Sequence, residues 1–211
     1  AASLVGARGA EASAPRTSLM FTTRDTPGSL NDALLLWRHM SHLFHHPEDA
    51  EAEGVDVGER WVELADKAEA RIGDTLSAFT LPHWMMALTA SGRFAAGQRL
   101  LESVAAAAAG NGIQARILRD AALPVCTAIL RHAEGAPQEA VALMRPALGA
   151  MPMLGGSHAQ QDVLEQIFAD AALKSNATAD LHLVAERIAG RRFIPLERMA
   201  GWREVAKHTA L

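Results

Sequence analysis

The sequence predicts an all-α fold, a right-handed stack of about four antiparallel helical hairpins closed by a terminal helix. Three observations carry this expectation. First, one signature occurs twice, 43 residues apart, in Gly92-Arg93-Phe94-Ala95-Ala96-Gly97-Gln98-Arg99-Leu100-Leu101 and Gly135-Ala136-Pro137-Gln138-Glu139-Ala140-Val141-Ala142-Leu143-Met144. In each, a turn glycine follows an apolar helical run, a small residue (Gly97, Ala140) stands five positions on, and a large apolar residue (Leu101, Met144) stands four after that. Such a period marks a repeated helix–turn–helix unit, in which the small residue lets two helices approach and the large one fills the space beside it. Second, Ala and Leu dominate, Tyr is absent and aromatics make up only 5% of the chain, so runs that read as strands are nearly missing. Third, glycines and helix caps punctuate the apolar runs at helical lengths.

The elements follow in order. Residues 1–28 are rich in Ala, Ser, Thr, Gly and Arg, contain Pro15 and Pro27, and show no sustained period. Alone, such a segment is disorder-prone, so it is expected to be an extended tail tied down by a partner chain. The chain begins at Ala1. The Arg/Ser/Ala bias of its first residues resembles the region around an organellar presequence, so a mitochondrial location is expected ahead of a cytoplasmic one.

The helical-repeat domain is expected over residues 29–195. Ser29 or Asn31 can cap a helix through Leu34, Leu35, Leu36, Trp37 and Met40 to about Phe44, and Pro47 to Gly54 form an acidic loop. A second helix runs from about Val57 to Ile72, with Trp61, Leu64, Ala65 and Ala68 on one face. Thr80 can cap the next, Pro82 suits its first turn, and Gly92 ends it. Phe94 to about Ala109 return. A long helix, Ile113 to Ala133, is expected to kink at Pro124, which lacks a hydrogen-bond donor. After Gly135, Pro137 to about Leu148 return, and residues 149–156 form a loop.

Ser157-His158-Ala159-Gln160 fits a capping box, with Ser157 at the N-cap and Gln160 reaching back to it. That helix carries Val163, Ile167, Phe168 and Ala171 as its apolar stripe, turns at Lys174-Ser175-Asn176, and returns from Asp180 to Ala189. Residues 196–211, around Trp202, read as a C-terminal capping helix that seals the end of the stack.

With these segments placed, a family resemblance emerges. Gly155-Gly156-Ser157-His158-Ala159-Gln160-Gln161-Asp162-Val163, running on to Ala169-Asp170-Ala171-Ala172-Leu173, resembles the C-terminal signature of the tetratricopeptide repeat protein 38 family. Asn31 to Arg38, Gly54 to Trp61, His83 to Arg93 and Leu123-Pro124-Val125-Cys126 fit the same family in order, so the resemblance covers about residues 30–190. It implies an irregular α-solenoid of the tetratricopeptide type and no settled enzymatic activity. Two departures stand out. Family members are usually about twice this length, and residues 39–52 look like an insertion.

Chemistry-bearing residues are few. His158 and Asp162 share a helix face at i and i+4 with Ser157 beside them. A hydrolase or ligand pocket would draw on His83, His158 and Asp162. The structural alternative is that His158 and Asp162 brace the loop against the preceding hairpin, through Arg145 or His83. Ser157 is needed as a cap, which argues against a nucleophile there. His39, His42, His45 and His46 cluster without a cysteine, so a solvated helix end is favoured over a metal site. The lone Cys126 has apolar flanks and reads as an inert core thiol. Met85, Met86, Met144, Met151 and Met153 read as gap-fillers, with the Met151–Met153 loop an adaptable contact surface as the alternative.

A net charge of −4 without a basic aromatic stripe argues against nucleic acid as the main partner. No apolar run is long enough to span a bilayer. The expected function is therefore a non-catalytic protein–protein interaction scaffold, an accessory subunit of a larger assembly. Its partners would be other protein subunits, with peripheral contact to a membrane complex allowed and no cofactor required.

Overall fold

The turn at Gly92 sets the geometry of the chain. Gly92 takes a left-handed φ of 71°. Its N–H donates to the Thr89 carbonyl, and the Arg93 N–H donates back to the Leu88 carbonyl, 3.0 and 2.8 Å away. This paired arrangement ends one helix and turns the backbone sharply into the next. The same two bonds recur at Gly135 (φ 83°), from Gly135 to His132 and from Ala136 to Arg131. They recur again at Asn176 (φ 55°), from Asn176 to Leu173 and from Ala177 to Ala172. Three consecutive hairpins thus share one turn, and in the third an asparagine does the glycine's work.

The computed structural model describes residues 60–190 and 202–209, and every regular element among them is helical. The expected tail, the helix over 29–44, Trp37, the cluster His39–His46 and residues 196–201 of the terminal segment lie outside the described residues.

The first described helix, α1, spans Arg60–Glu69 and buries Trp61, Ala65 and Ala68. It packs on α2, Thr80–Ala90, whose side chains Leu81, Met85, Met86 and Leu88 are fully buried. Thr80 is not the cap of α2. Residue 79 already has α-helical angles, and the Thr80 hydroxyl donates to the Ser77 carbonyl at 3.0 Å. The chain enters α2 through a helical turn, so no extended cap position exists for Thr80 to fill.

From Gly92 the chain returns as α3, Phe94–Ala108. Gly97 lies where a Cβ would stand 3.2 Å from the Met85 sulfur and 3.5 Å from Leu130. The small residue of the repeated signature is therefore the point of closest approach. A methyl there would require the flexible Met85 side chain to give by a few tenths of an ångström, and anything larger would crowd α2 and α5. Ala140 fills the equivalent place in the next hairpin and is buried. The third hairpin has Leu181 there, also buried, so the turn repeats more faithfully than the contact it serves.

The helical run over residues 113–133 is continuous but not uniform. Ile113–Ile117 (α4) passes through one widened π turn, Leu118–Ala122, into α5, Leu123–Ala133. Pro124 explains the widening. It offers no N–H, and its ring would strike the carbonyl of residue 120 in a regular helix. The extra residue in the turn clears it. Pro146 acts similarly on α6, Pro137–Met144, which gives way to a 3-10 turn at Arg145–Ala147. A second 3-10 turn, Met151–Leu154, occupies the expected loop and packs on the π turn. Of the five methionines among the described residues, only Met153 is exposed.

The last hairpin pairs α7, His158–Lys174, with α8, Thr178–Ala189, and α9, Arg203–Thr209, lies on α8. Packing follows chain order. The α2 helix meets α3 and α5, α5 meets α6 and α7, and α6 meets α7. One apolar core runs through all of them, from Trp61 to Trp202 and Val205.

Candidate functional site

Helix α7 is enclosed more completely than its sequence pattern predicts. Beyond Val163, Ile167, Phe168 and Ala171, it buries Glu165, Gln166 and Asp170. Asp162, Gln166, Asp170 and Lys174 follow one another at i+4, so they form a single polar line along the helix. A charged or amide group loses about 1–3 kcal/mol or more on burial unless it is hydrogen-bonded, so each must find partners.

At the N-terminal end, Ser157 and Gln160 form a reciprocal cap. The Ser157 N–H donates to Gln160 Oε1 at 2.8 Å, and the Gln160 N–H donates to the Ser157 hydroxyl oxygen at 3.4 Å. The cap consumes the Ser157 oxygen as an acceptor. Gly156 precedes it at φ 87°, where a Cβ would meet the Phe79 ring at 2.5 Å. The backbone at Gly156 therefore passes close against the Phe79 ring. The Phe79 ring in turn lies 4.6 Å from the His83 ring, and His83 Nδ1 donates to the Phe79 carbonyl at 3.0 Å. These contacts join the start of α2 to the start of α7.

Asp162 lies one turn further along. Its Oδ2 accepts from Gln166 Nε2 at 3.0 Å and from the Trp202 indole N–H at 3.3 Å. Trp202 is fully buried. Arg145, considered from sequence as a brace for His158 and Asp162, is ion-paired with Asp180, with 3.3 Å between Nε and Oδ1. It ties the end of α6 to the start of α8. The backbone places His158 as the first residue of α7; its side chain lies outside the described residues.

The best-buried charges are ones the sequence reading passed over. His132 of α5 and Asp170 of α7 meet with 2.7 Å between Nε2 and Oδ2, and Lys174 Nζ reaches the same oxygen at 2.6 Å. A carboxylate paired with an ammonium can only accept, so His132 donates from Nε2. Among the described residues, His132 Nδ1 and Gln166 Oε1 have no hydrogen-bond partner. Glu165, 1% exposed at its side chain, holds Arg187 of α8 at 3.1 Å. Arg187 Nη2 also donates to the Leu148 carbonyl at 2.9 Å. That one guanidinium thus fastens α7, α8 and the exit of α6 together. The available signal was the i+4 run Asp162, Gln166, Asp170 and Lys174 on a helix whose other residues from Val163 to Leu173 are, Glu165 apart, apolar.

Cys126 is completely buried, and burial pushes its thiol well above the ordinary range, so the thiolate that nucleophilic chemistry requires is disfavoured. Among the described residues, no group of three or more His, Cys, Asp or Glu side chains is placed to hold a metal. Also among them, no helix is long and apolar enough to cross a membrane. No family model matches the chain. No solved structure matches it either.

Proposed function

We propose that this chain is a protein–protein interaction scaffold, a tetratricopeptide-like stack of hairpins that serves as a non-catalytic subunit of a larger assembly. The observation that carries this reading is the common turn at Gly92, Gly135 and Asn176, with each hairpin packed on the next in chain order. A stack built this way offers extended faces to partners and needs no cofactor for its fold. The resemblance of residues 30–190 to the tetratricopeptide repeat protein 38 family belongs to the same proposal, as does a mitochondrial location.

The roles of the polar residues support the same reading. Asp162 anchors Gln166 and Trp202, His83 Nδ1 is committed to the Phe79 carbonyl, and Ser157 caps α7. These are the tasks of side chains that hold helices together. A hydrolase built on His83, His158 and Asp162 would need them turned toward a shared substrate.

The test is the native mass of the protein purified gently from its own source. A stoichiometric complex with other subunits is expected. A free monomer, with nothing co-purifying, would overturn the proposal.

A further inference from the structure

The C-terminal helix lies on α8 with one side buried and with a hydrogen bond from Trp202 to α7. Trp202, Val205 and Thr209 are buried, and they stand at i, i+3 and i+7. That is the anchor spacing of an amphipathic helix laid into a receptor surface. The indole supplies both kinds of recognition. Its rings join the core, and its N–H donates to Asp162 Oδ2 on α7. An aromatic anchor with one buried polar contact is the usual form of a binding hot spot. The body of α9 packs on α8.

Among the described residues the helix spans seven, Arg203–Thr209. A free helix of that length does not form in water, because nucleation costs more than so few hydrogen bonds return. Its helicity is therefore supplied by the surface it lies on. Its outward side chains, Glu204, Lys207 and His208, pair with one another at 2.7 and 3.3 Å. The segment thus carries what a helical ligand needs, namely three anchors on one side and a self-satisfied polar face on the other.

We propose that the α7/α8 face is a helix-binding site occupied in the resting protein by the chain's own residues 202–209. The partner it fits is an amphipathic helical peptide presenting an indole, a small apolar residue three positions on and a small residue four after that. Such a peptide competes with α9 for Asp162 and the α8 surface. The inference stands on the geometry of α7, α8 and Trp202 and does not depend on the assembly proposed above. The chain can prove monomeric and still exchange this helix.

The experiment uses the full chain with a specific protease site placed between residues 191 and 200. After cleavage, a fluorescent synthetic peptide of residues 196–211 is added and its anisotropy followed. The expected result is saturable uptake, competed by the unlabelled peptide, with the body retaining its helical circular dichroism. The peptide carrying Trp202→Ala should bind at least tenfold more weakly, and Asp162→Asn in the body should weaken the unmodified peptide. Equal binding of the two peptides would overturn the proposal. So would failure of the cleaved segment to exchange, or loss of helicity on its release. Hydrogen exchange on the uncut protein gives an independent reading. The amides of residues 206–209 should open at least a hundredfold more often than those of α5, and equal protection would overturn the idea without any engineered site.

Discussion

His132 and Asp170 meet across the junction of the second and third hairpins, with Nε2 and Oδ2 2.7 Å apart and both side chains nearly sealed from water. Lys174 shares the carboxylate oxygen, so one acceptor satisfies two donors from two helices. Removing the acceptor leaves a buried imidazole N–H with nothing to bond. Asp170→Ala should therefore cost about 2–4 kcal/mol of stability. The pair His132→Leu with Asp170→Leu should cost less than the two single changes added. A urea-denaturation double-mutant cycle measures the coupling, and a coupling of zero would show that the contact is incidental. The imidazole nitrogen shifts should report the proton on Nε2.

Two glycines sit against aromatic or sulfur neighbours but should respond differently to substitution. At Gly156 the backbone is left-handed and an added Cβ would run into the Phe79 ring, which is held by its own contact with His83. Gly156→Ala should cost about 2–4 kcal/mol, from strain and overpacking together. Gly97 is helical, and its nearest obstacle is the sulfur of a flexible methionine. Gly97→Ala should fall within about 1 kcal/mol of neutral, since helix propensity offsets the crowding. Thermal melts of both variants decide this, and equal losses would contradict it.

Much of the architecture is readable from residues whose physics is local. Gly92 and Gly135 announce turns because only glycine enters the left-handed region without penalty. Ser157 and Gln160 announce a helix start because each serves the other's orphan donor. Pro124 announces a disturbance, but not its form. Whether the helix bends, breaks or widens depends on packing around residues 118–122. The partners of buried charge were the least legible. His132 and Asp170 are 38 residues apart, and nothing in either neighbourhood names the other. Arg145, weighed beside His83 as a brace for His158 and Asp162, pairs with Asp180, a partner equally remote in sequence. Burial of α7 on every side comes from α5, α6, α8 and Trp202 together, which a single helix's pattern does not contain.

Asn176 tests whether the third turn is equivalent to the other two. Asparagine tolerates φ 55° better than other non-glycine residues but still carries a Cβ. Asn176→Gly should stabilise the protein by up to about 1 kcal/mol, and Asn176→Val should destabilise it by about 1–2 kcal/mol. Gly135→Ala should lose about 1 kcal/mol by the same argument. Denaturation midpoints of the three variants give the comparison. A destabilising Asn176→Gly would mean that the asparagine side chain, and not the turn, is what the site requires.

Cys126 should be silent in the folded protein. Burial raises its thiol, so the reactive thiolate is scarce, and the side chain is closed to reagents. Ellman's reagent should leave the native protein unmodified at neutral pH and label one thiol per chain once denaturant is added. Rapid labelling without denaturant would show that α5 opens far more readily than its packing implies.

Acid should weaken the ion pairs that tie the Gly92 turn and α3 to α1. Arg93, in the Gly92 turn, reaches back to Asp66 and Glu69 of α1, and Arg99 of α3 also binds Glu69 at 2.6 Å. Hydrogen bonds from Arg99 and then Arg93 hold the Glu69 carboxyl below its ordinary range. A carboxyl lowered on folding contributes stability above its unfolded pKa and loses that contribution as pH falls through its folded value. The Glu69 carboxyl is solvent-exposed, so the effect is screened by salt and local in extent. Carbon-detected NMR titration should show the Glu69 midpoint rising in Arg99→Ala and rising less in Arg93→Ala. A midpoint that stays put in both variants would show that neither guanidinium engages this carboxylate in solution, and Arg93 would then hold the turn at Gly92 to α1 through Asp66 instead.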